Sequence, residues 1–190
     1  QKEKMTKELT YLNYLKQDRL PHQWCPGCGN GIVLKLACLA MEKLNFLKKG
    51  TVMVSGIGCS GRSAGFFDLD SVHTAHGRAL PVAEGIKLAN EELNVMVISG
   101  DGDLFGIGGN HLLHATRRNT DITVICISNA IYGMTGGQCS PATELSSRTL
   151  TTPHGNVDTP VNVQAIVTAH NCLYARSTTY HFNHAMKCIF

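Results

Sequence analysis

The chain has 190 residues, which suits one domain with a hydrophobic core, and 43% of the residues are hydrophobic while 16% are charged. This composition excludes a disordered chain. The formal net charge of +3 gives no argument for binding to nucleic acid or to a membrane surface. No apolar run approaches the roughly 18 residues of a membrane span, and residues 1–10 lack the apolar stretch of a secretory signal. We therefore expect a cytoplasmic protein.

Eight cysteines are the first unusual feature of the composition. In the absence of a secretory signal, metal binding or simple burial is expected and not a disulfide framework. Cys38 and Cys126 lie in apolar runs and are interpreted as small core residues. The other cysteines are Cys25, Cys28, Cys59, Cys139, Cys172 and Cys188.

Hydrophobic periodicity predicts an alternation of helices and strands along the chain. Residues 1–22 are expected to form an N-terminal arm, and residues 23–190 one domain. The first predicted strand, residues 51–55, is β-branched, and the later strands at 95–99 and 122–128 are apolar without alternation. Such strands favour a parallel sheet covered on both faces. The predicted helices span residues 32–47, 80–93, 104–118, 161–170 and 183–187. The alternation as a whole predicts a doubly wound, mostly parallel α/β fold.

Three loops rich in glycine and polar residues leave the predicted strands at their carboxyl ends, where open α/β sheets bind ligands. These loops are residues 56–62 (GIGCSGR), 100–103 (GDGD) and 129–133 (NAIYG). Glycines let a backbone approach a ligand closely, and backbone amides are suited to phosphate. An ordinary glycine-rich turn is the alternative for residues 56–62.

Asp101 and Asn129 each follow an apolar strand, and one helix and one strand separate them. The two side chains are thus expected at the ends of neighbouring strands. A carboxylate, an amide oxygen and a backbone carbonyl are hard ligands suited to Mg²⁺, which would bridge to a diphosphate. The alternative is that Asp101 only caps the helix that follows it.

This pair resembles the thiamine diphosphate motif, in which the aspartate, the asparagine and a carbonyl two residues later hold Mg²⁺. The matching groups here are Asp101, Asn129 and the Ile131 carbonyl. Five motifs occur in the order and spacing typical of the β subunits of 2-oxoacid:ferredoxin oxidoreductases, which the chain resembles from about residue 23 to 141, and only thinly over 161–190. The motifs are residues 24–29 (WCPGCG), 56–62, 73–78 (HTAHGR), 100–103 and 129–138 (NAIYGMTGGQ).

The resemblance implies the thiamine diphosphate-binding fold, called the pyrophosphate domain, and a set of cofactor contacts. The cofactor contacts carried over are Ile57, Gly58, Cys59, Ser60, His76, Gly102, Asp103, Gly133 and Met134. His76 and Arg62 are the predicted catalytic residues. A buried, hydrogen-bonded histidine is the alternative for His76.

The resemblance also implies a [4Fe–4S] cluster with Cys25, Cys28 and Cys59 as ligands. Such a cluster needs four thiolates, and the family's fourth ligand lies in a downstream segment that this chain lacks. The sequence therefore predicts a domain truncated at its C-terminus, in which a complete cluster is in question.

For function, the resemblance implies oxidative decarboxylation of a 2-oxoacid to acyl-coenzyme A, with electrons passing to ferredoxin through the cluster. An α subunit is the expected partner, and it would supply the glutamate that activates the cofactor. Residues 132–138 favour 2-oxoglutarate as substrate, with pyruvate and branched-chain 2-oxoacids as alternatives. Arg62 is expected to pair with a substrate carboxylate or to form a structural ion pair.

Two other classes of protein account for less of the sequence. The residues CPGCG resemble half of a zinc-binding interaction module, but no second CxxC follows at the spacing of a zinc ribbon. A thioredoxin-like redox protein has its CxxC between a strand and a helix, whereas a polar arm precedes it here, and the Asp101–Asn129 pair would stay unexplained.

Overall fold

The computed structural model describes residues 10–189, so residues 1–9 of the predicted arm lie outside the described part. The α-helices are α1 (Gly29–Lys43), α2 (Ala79–Ala89), α3 (Gly109–Arg118), α4 (Val163–Thr168) and α5 (Phe182–Ile189). The strands are β1 (Thr51–Ser55), β2 (Asp70–His73), β3 (Asn94–Gly100), β4 (Thr123–Ile127), β5 (Ile131–Tyr132) and β6 (Gln138–Cys139). No helix in this part of the chain is long and apolar enough to cross a membrane.

The central sheet has the strand order β2-β1-β3-β4, and all three neighbouring pairs are parallel. Strands β5 and β6 form a separate antiparallel pair. Strand β2 was not predicted, since Asp70–His73 is polar and exposed along its whole length and carries no hydrophobic pattern. The predicted parallel α/β architecture is confirmed.

Helices cover both faces of the sheet, which makes the fold doubly wound. On one face, Met53 of β1 and Met96 of β3 pack in one hydrophobic cluster with Met41 of α1. On the other face, Val54 and Val97 pack in a second cluster with residues of α2 and α3. Side chains alternate between the faces along each strand, so both sets must be apolar when both faces are buried.

Strand β4 departs from the expectation of two covered faces. Although its sequence is as apolar as that of β3, Val124 is 39% exposed, and the first two residues of the strand are both exposed. The reason is its place in the strand order, because β4 is an edge of the sheet in residues 10–189.

Two helices end where an asparagine takes a left-handed conformation. Asn45 has φ 54° shortly after α1, and Asn119 has φ 49° directly after α3. Asparagine tolerates this conformation better than most residues and commonly ends helices. The predicted helix over residues 104–118 is divided in two, because a π-helical turn, Gly102–Ile107, precedes α3. Gly106, within that turn, has a non-helical ψ of −105°.

The described part of the predicted arm lies against the domain. Leu15 is buried and forms an isolated antiparallel bridge with Phe67. The Tyr14 hydroxyl donates to the Phe46 carbonyl at 2.7 Å. Burial raises the pKa of Tyr14, and the charge of Glu42 adds to the effect. Residues in this stretch therefore contribute to the hydrophobic core.

A buried carboxylate joins α2 to the end of α3. Glu84 is 3% exposed, and the Arg118 guanidinium donates to both of its carboxylate oxygens, at 2.9 and 2.5 Å. The Thr120 hydroxyl donates to the same carboxylate at 3.1 Å. The hydrogen bond to Glu84 raises the pKa of Arg118. This bidentate pair fixes the two helices relative to one another.

We expect Arg118→Met to lower the melting temperature by several degrees, because it leaves the buried Glu84 carboxylate without its cationic partner. Thermal unfolding followed by circular dichroism measures the change. Arg117→Met is the matched control, since Arg117 is an exposed neighbour in the same helix and has no ion pair among residues 10–189. Equal melting temperatures for the two variants would contradict this role of the pair.

Candidate active site

The three predicted ligand loops meet at the carboxyl ends of the parallel strands. Strand β3 pairs with both β1 and β4 in parallel, so the segments that follow these three strands leave the sheet on the same side. Residues 56–62 follow β1, residues 101–103 follow β3, and residues 128–131 follow β4. The structure thus brings together the loops that the sequence singled out.

Asp101 lies at the carboxyl end of β3 with 2% of its surface exposed. Its side chain makes no capping hydrogen bond to the helical turn that follows, which excludes the helix-cap interpretation. The Ser140 hydroxyl donates to Asp101 Oδ2 at 2.5 Å. The Asp101 carboxylate is therefore held by Ser140, which directly follows β6, and does not cap the helical turn after β3.

Asn129 is exposed after β4, and its Oδ1 accepts a hydrogen bond from the Ile131 backbone amide at 3.2 Å. Ala130 between them has φ 59°, a left-handed conformation. The Thr143 hydroxyl holds this turn by donating to the Ala130 carbonyl at 2.6 Å. Asp101, Asn129 and the Ile131 carbonyl together offer the hard oxygen donors that Mg²⁺ prefers.

Tyr132 packs against the backbone of the GDGD segment, a role that the sequence did not reveal. Its hydroxyl donates to the Gly102 carbonyl at 3.2 Å. A Cβ at Gly102 would lie 2.2 Å from the Tyr132 ring, and one at Gly106 would lie 2.3 Å from its hydroxyl. Burial raises the pKa of Tyr132, and the charges of Asp101 and Asp103 raise it further. The glycines here make room for the ring.

Asp103 is buried at 2% exposure and is surrounded by hydrogen-bond donors. Its Oδ1 accepts from the backbone amides of Ile57 and Gly77, at 3.0 and 2.8 Å, and lies 2.6 Å from His76 Nδ1. Its Oδ2 accepts from the Ser99 hydroxyl at 2.7 Å. The carboxylate expected to contact the cofactor is thus engaged by protein groups; that expectation stays a prediction.

His76 is half-buried and not enclosed, with 36% of its side chain exposed. Its ring meets the Tyr132 ring edge-on, at 6.4 Å between centroids. Since one ring nitrogen is bonded to Asp103 and the ring is still accessible, both the buried-histidine interpretation and the ligand-contact interpretation describe part of its environment.

The other predicted contact residues lie around these carboxyl ends with different exposure. Ile57 and Met134 are 38% and 44% exposed, whereas Ser60 is 9% exposed. Gly58 has φ 114°, which favours glycine. Arg62 is exposed and forms no ion pair with a described carboxylate, which argues against its structural interpretation. A cavity of about 310 Å³ opens beside Ser140 and Tyr132.

The loops that carry Cys25, Cys28 and Cys59 are neighbours in the structure. The Trp24 indole donates to the Cys59 carbonyl at 2.7 Å, which joins the CxxC loop to the loop after β1. Asn30 Nδ2 lies 3.4 Å from Cys28 Sγ. Among residues 10–189, no three histidine, cysteine, aspartate or glutamate side chains are grouped so that they could hold a metal. The assignment of Cys25, Cys28 and Cys59 as cluster ligands stays a prediction.

Burial accounts for the two cysteines that the sequence placed in the core. Burial raises the pKa of the Cys38 thiol, and the charge of Glu42 adds to it. Burial also raises the pKa of the Cys126 thiol, and the charges of Asp101 and Asp103 raise it further. Both thiols are thus kept protonated and act as small packing residues.

Comparison with known proteins gives a family and several similar chains. Residues 56–189 match the family described as "Thiamine pyrophosphate enzyme, C-terminal TPP binding domain". The chain is 52% identical over 176 residues to the 2-oxoglutarate synthase subunit KorB of Methanothermobacter marburgensis, covering 92% of this chain and 62% of that protein. The corresponding subunit of Archaeoglobus fulgidus is 50% identical over 181 residues, covering 95% of this chain and 67% of that protein.

A more distant relative and a solved structure agree with these matches. The 2-oxoacid:ferredoxin oxidoreductase subunit beta of Saccharolobus solfataricus is 44% identical, covering 88% of this chain and 56% of that protein. The 2-oxoglutarate:ferredoxin oxidoreductase from Magnetococcus marinus, solved with 2-oxoglutarate, coenzyme A and succinyl-CoA bound, matches with a TM-score of 0.81 and 38% identity. That match covers 85% of this chain and 55% of that one.

The chain spans 62% and 67% of the length of the two archaeal 2-oxoglutarate synthase subunits. The site that it carries lies within the region matched by the family, apart from the CxxC loop. The chain therefore belongs to the thiamine pyrophosphate enzymes and, among them, to the β subunits of the 2-oxoacid:ferredoxin oxidoreductases.

Proposed function

We propose that this chain binds thiamine diphosphate with Mg²⁺ and, together with an α subunit, catalyses the oxidative decarboxylation of a 2-oxoacid to acyl-coenzyme A. We further propose that 2-oxoglutarate is the substrate and that ferredoxin receives the electrons. The observation that carries the proposal is the pair Asp101 and Asn129 at the ends of adjacent parallel strands, with the Asp101 carboxylate held by Ser140 and free of any helix-capping role.

The donor set fits the proposed cation. Asp101, Asn129 and the Ile131 carbonyl offer only oxygen ligands, as Mg²⁺ requires, and leave coordination positions for phosphate oxygens. Gly58, with its positive φ, brings backbone close to where the diphosphate would lie. Thiamine diphosphate, when bound, supplies the chemistry that stabilises the carbanion left by loss of carbon dioxide.

The residues of the chain have distinct proposed tasks around that cofactor. Ser140 holds the Asp101 carboxylate in place for the cation. His76 presents an accessible ring to the ligand while Asp103 holds its other side. Arg62, exposed and without a protein carboxylate partner, would bind the distal carboxylate that distinguishes 2-oxoglutarate from pyruvate. The glutamate that activates the cofactor is proposed to come from the α subunit.

The [4Fe–4S] cluster is treated separately from the cofactor site. No group of three metal-binding side chains close enough to hold a metal ion occurs among residues 10–189, and no step of the proposal is assigned to a cluster at Cys25, Cys28 and Cys59. The bond from Trp24 to Cys59 brings the two loops together and is the observation in favour of this ligand set. The cluster therefore stays a prediction, as do the cytoplasmic location and the division into an arm and one domain with a truncated C-terminus.

Substituting the proposed cation ligand tests the cofactor site. Asp101→Asn keeps the shape of the side chain but removes its charge, so we expect affinity for thiamine diphosphate in Mg²⁺ to fall by at least about tenfold. Isothermal titration calorimetry on the full chain measures the affinity. Asp121→Asn is the control, because Asp121 is exposed and lies before β4, at the amino ends of the strands and away from the site. Unchanged affinity in Asp101→Asn would place the cation elsewhere.

The substrate is tested on the complex with the α subunit, purified without oxygen. We expect coenzyme-A-dependent viologen reduction to be faster with 2-oxoglutarate than with pyruvate. Arg62→Gln should lower kcat/KM for 2-oxoglutarate by roughly 10- to 100-fold, the worth of a charged hydrogen bond, and leave pyruvate turnover unchanged.

Arg78→Gln is the control for this experiment, since Arg78 is also an exposed arginine near the site and should not change the preference between the two acids. Faster turnover of pyruvate by the unmodified complex would contradict the substrate proposal. No turnover of either acid by a complex that binds thiamine diphosphate would contradict the proposed reaction.

Metal analysis of the same complex tests the cluster. If the three thiolates serve as ligands, the complex should contain about four iron and four sulfide attributable to this chain, and Cys28→Ala should lose them. Cys172→Ala is the control, since this thiol bonds to Thr116 and Asn119 near the end of α3. Zinc in place of iron would favour the zinc-binding interaction module. If the complex contains neither iron nor zinc, the cluster is removed from the proposal.

A further inference from the structure

Asp103 Oδ1 is required to be a hydrogen-bond acceptor. It accepts from two backbone amides, those of Ile57 at 3.0 Å and Gly77 at 2.8 Å, and a backbone N–H can only donate. The hydroxyl oxygen of a carboxylic acid is a poor acceptor, so two such bonds favour Oδ1 as the unprotonated oxygen. The chemistry of Oδ1 is therefore fixed by the main chain, whatever the charge of the group.

The neighbouring histidine must in turn be a donor at one known nitrogen. His76 Nδ1 lies 2.6 Å from Asp103 Oδ1, and since Oδ1 only accepts, Nδ1 must carry the proton. The second ring nitrogen, Nε2, has no hydrogen-bond partner among residues 10–189, and the side chain is 36% exposed. The neutral ring is thus left with an unprotonated Nε2 available to a ligand.

Packing prevents the carboxylate from turning away from His76. The Ser99 hydroxyl donates to Oδ2 at 2.7 Å. Gly56 lies so close that a Cβ there would be 2.0 Å from Oδ2 and 2.4 Å from Oδ1. The side chain is 2% exposed, so water does not compete for these bonds. All four partners and the glycine therefore hold one orientation of Asp103.

We propose that Asp103 is a positioning residue that fixes His76 in the tautomer with the proton on Nδ1, so that Nε2 is the nitrogen offered to the bound cofactor or substrate. The inference rests on the proposed function only in taking a ligand to be the partner of Nε2. It gives Asp103 a different role from that of a direct cofactor contact, because the carboxylate acts through the histidine.

The tautomer is measured directly by nuclear magnetic resonance on the full chain labelled with ¹⁵N-histidine, at a pH where the ring signals no longer change. The His76 signals are identified as those absent from His76→Asn. We expect the shifts of a ring protonated at Nδ1 and bare at Nε2, with a downfield Nδ1 proton, as a short charge-assisted bond gives.

Two variants of the same network separate positioning from general stability. In Asp103→Asn, the side-chain oxygen stays at the Oδ1 position and still accepts from the two backbone amides. The side-chain NH2 group takes the place of Oδ2 and donates to the Ser99 hydroxyl, which can accept. The fold should therefore persist. We expect Nδ1 to keep its proton but that proton to move upfield, because a neutral oxygen is the weaker acceptor, and kcat of the complex to fall on the order of 10²-fold with little change in KM. Ser99→Ala loses one bond to Oδ2 only and should leave the His76 shifts unchanged.

A proton on Nε2 in the unmodified chain would overturn the inference, and this result needs no variant to fold. Unchanged His76 shifts in a folded Asp103→Asn variant would overturn it as well. The resonance measurement uses neither cofactor nor substrate, so it is decided separately from the proposed function. If thiamine diphosphate fails to bind while the tautomer is as expected, the proposed function fails and the assignment of Asp103 stands.

Discussion

The buried carboxylate of Asp103 is the constraint on which the arrangement of the site depends. It joins segments that are far apart in sequence: the loop after β1 through Ile57, the loop before α2 through His76 and Gly77, and the end of β3 through Ser99. Loops rich in glycine lose much conformational entropy when they are ordered. A single group that accepts bonds from each of them supplies a fixed common point.

Asp101 and Asp103 are two residues apart and both buried, but they have different hydrogen-bond partners. Asp103 is turned into the protein and is satisfied by donors on both oxygens. Asp101 receives a hydrogen bond from Ser140 and is proposed to share its charge with a cation. Gly102 between them lets the Tyr132 ring pack on the backbone. The four-residue segment GDGD therefore needs each of its residue types for a different physical reason.

The part of the fold that the sequence predicted best is the part set by hydrophobic burial. Strand β1 was predicted with its observed bounds, and β3 to within one residue at each end, because both are apolar on two buried faces. Strand β2 was missed because its exposed polar residues leave no pattern to detect. The break at Gly106 was missed because helix periodicity continues through a π-helical turn.

For the site, sequence motifs identified which loops converge but not how they are held together. Asp103 was predicted as a cofactor contact. Its hydrogen bonds to His76 and Ile57, which precede it by 27 and 46 positions, depend on the tertiary fold alone. Tyr132 was assigned only to substrate preference, since a ring that packs on glycine backbone leaves no sequence signature. The glycines at 56 and 102 were the one available signal, because they mark close approach of other groups.

We propose that a divalent cation lies between Asp101, Asn129 and the diphosphate of thiamine diphosphate. The direct measurement is pulsed electron paramagnetic resonance on the chain loaded with Mn²⁺ in place of Mg²⁺ and with thiamine diphosphate. We expect ³¹P hyperfine coupling from phosphate oxygens bound to the Mn²⁺, and loss of that signal in Asp101→Asn. Binding of thiamine diphosphate that gives no ³¹P coupling, or that persists unchanged when divalent cations are removed with a chelator, would contradict it.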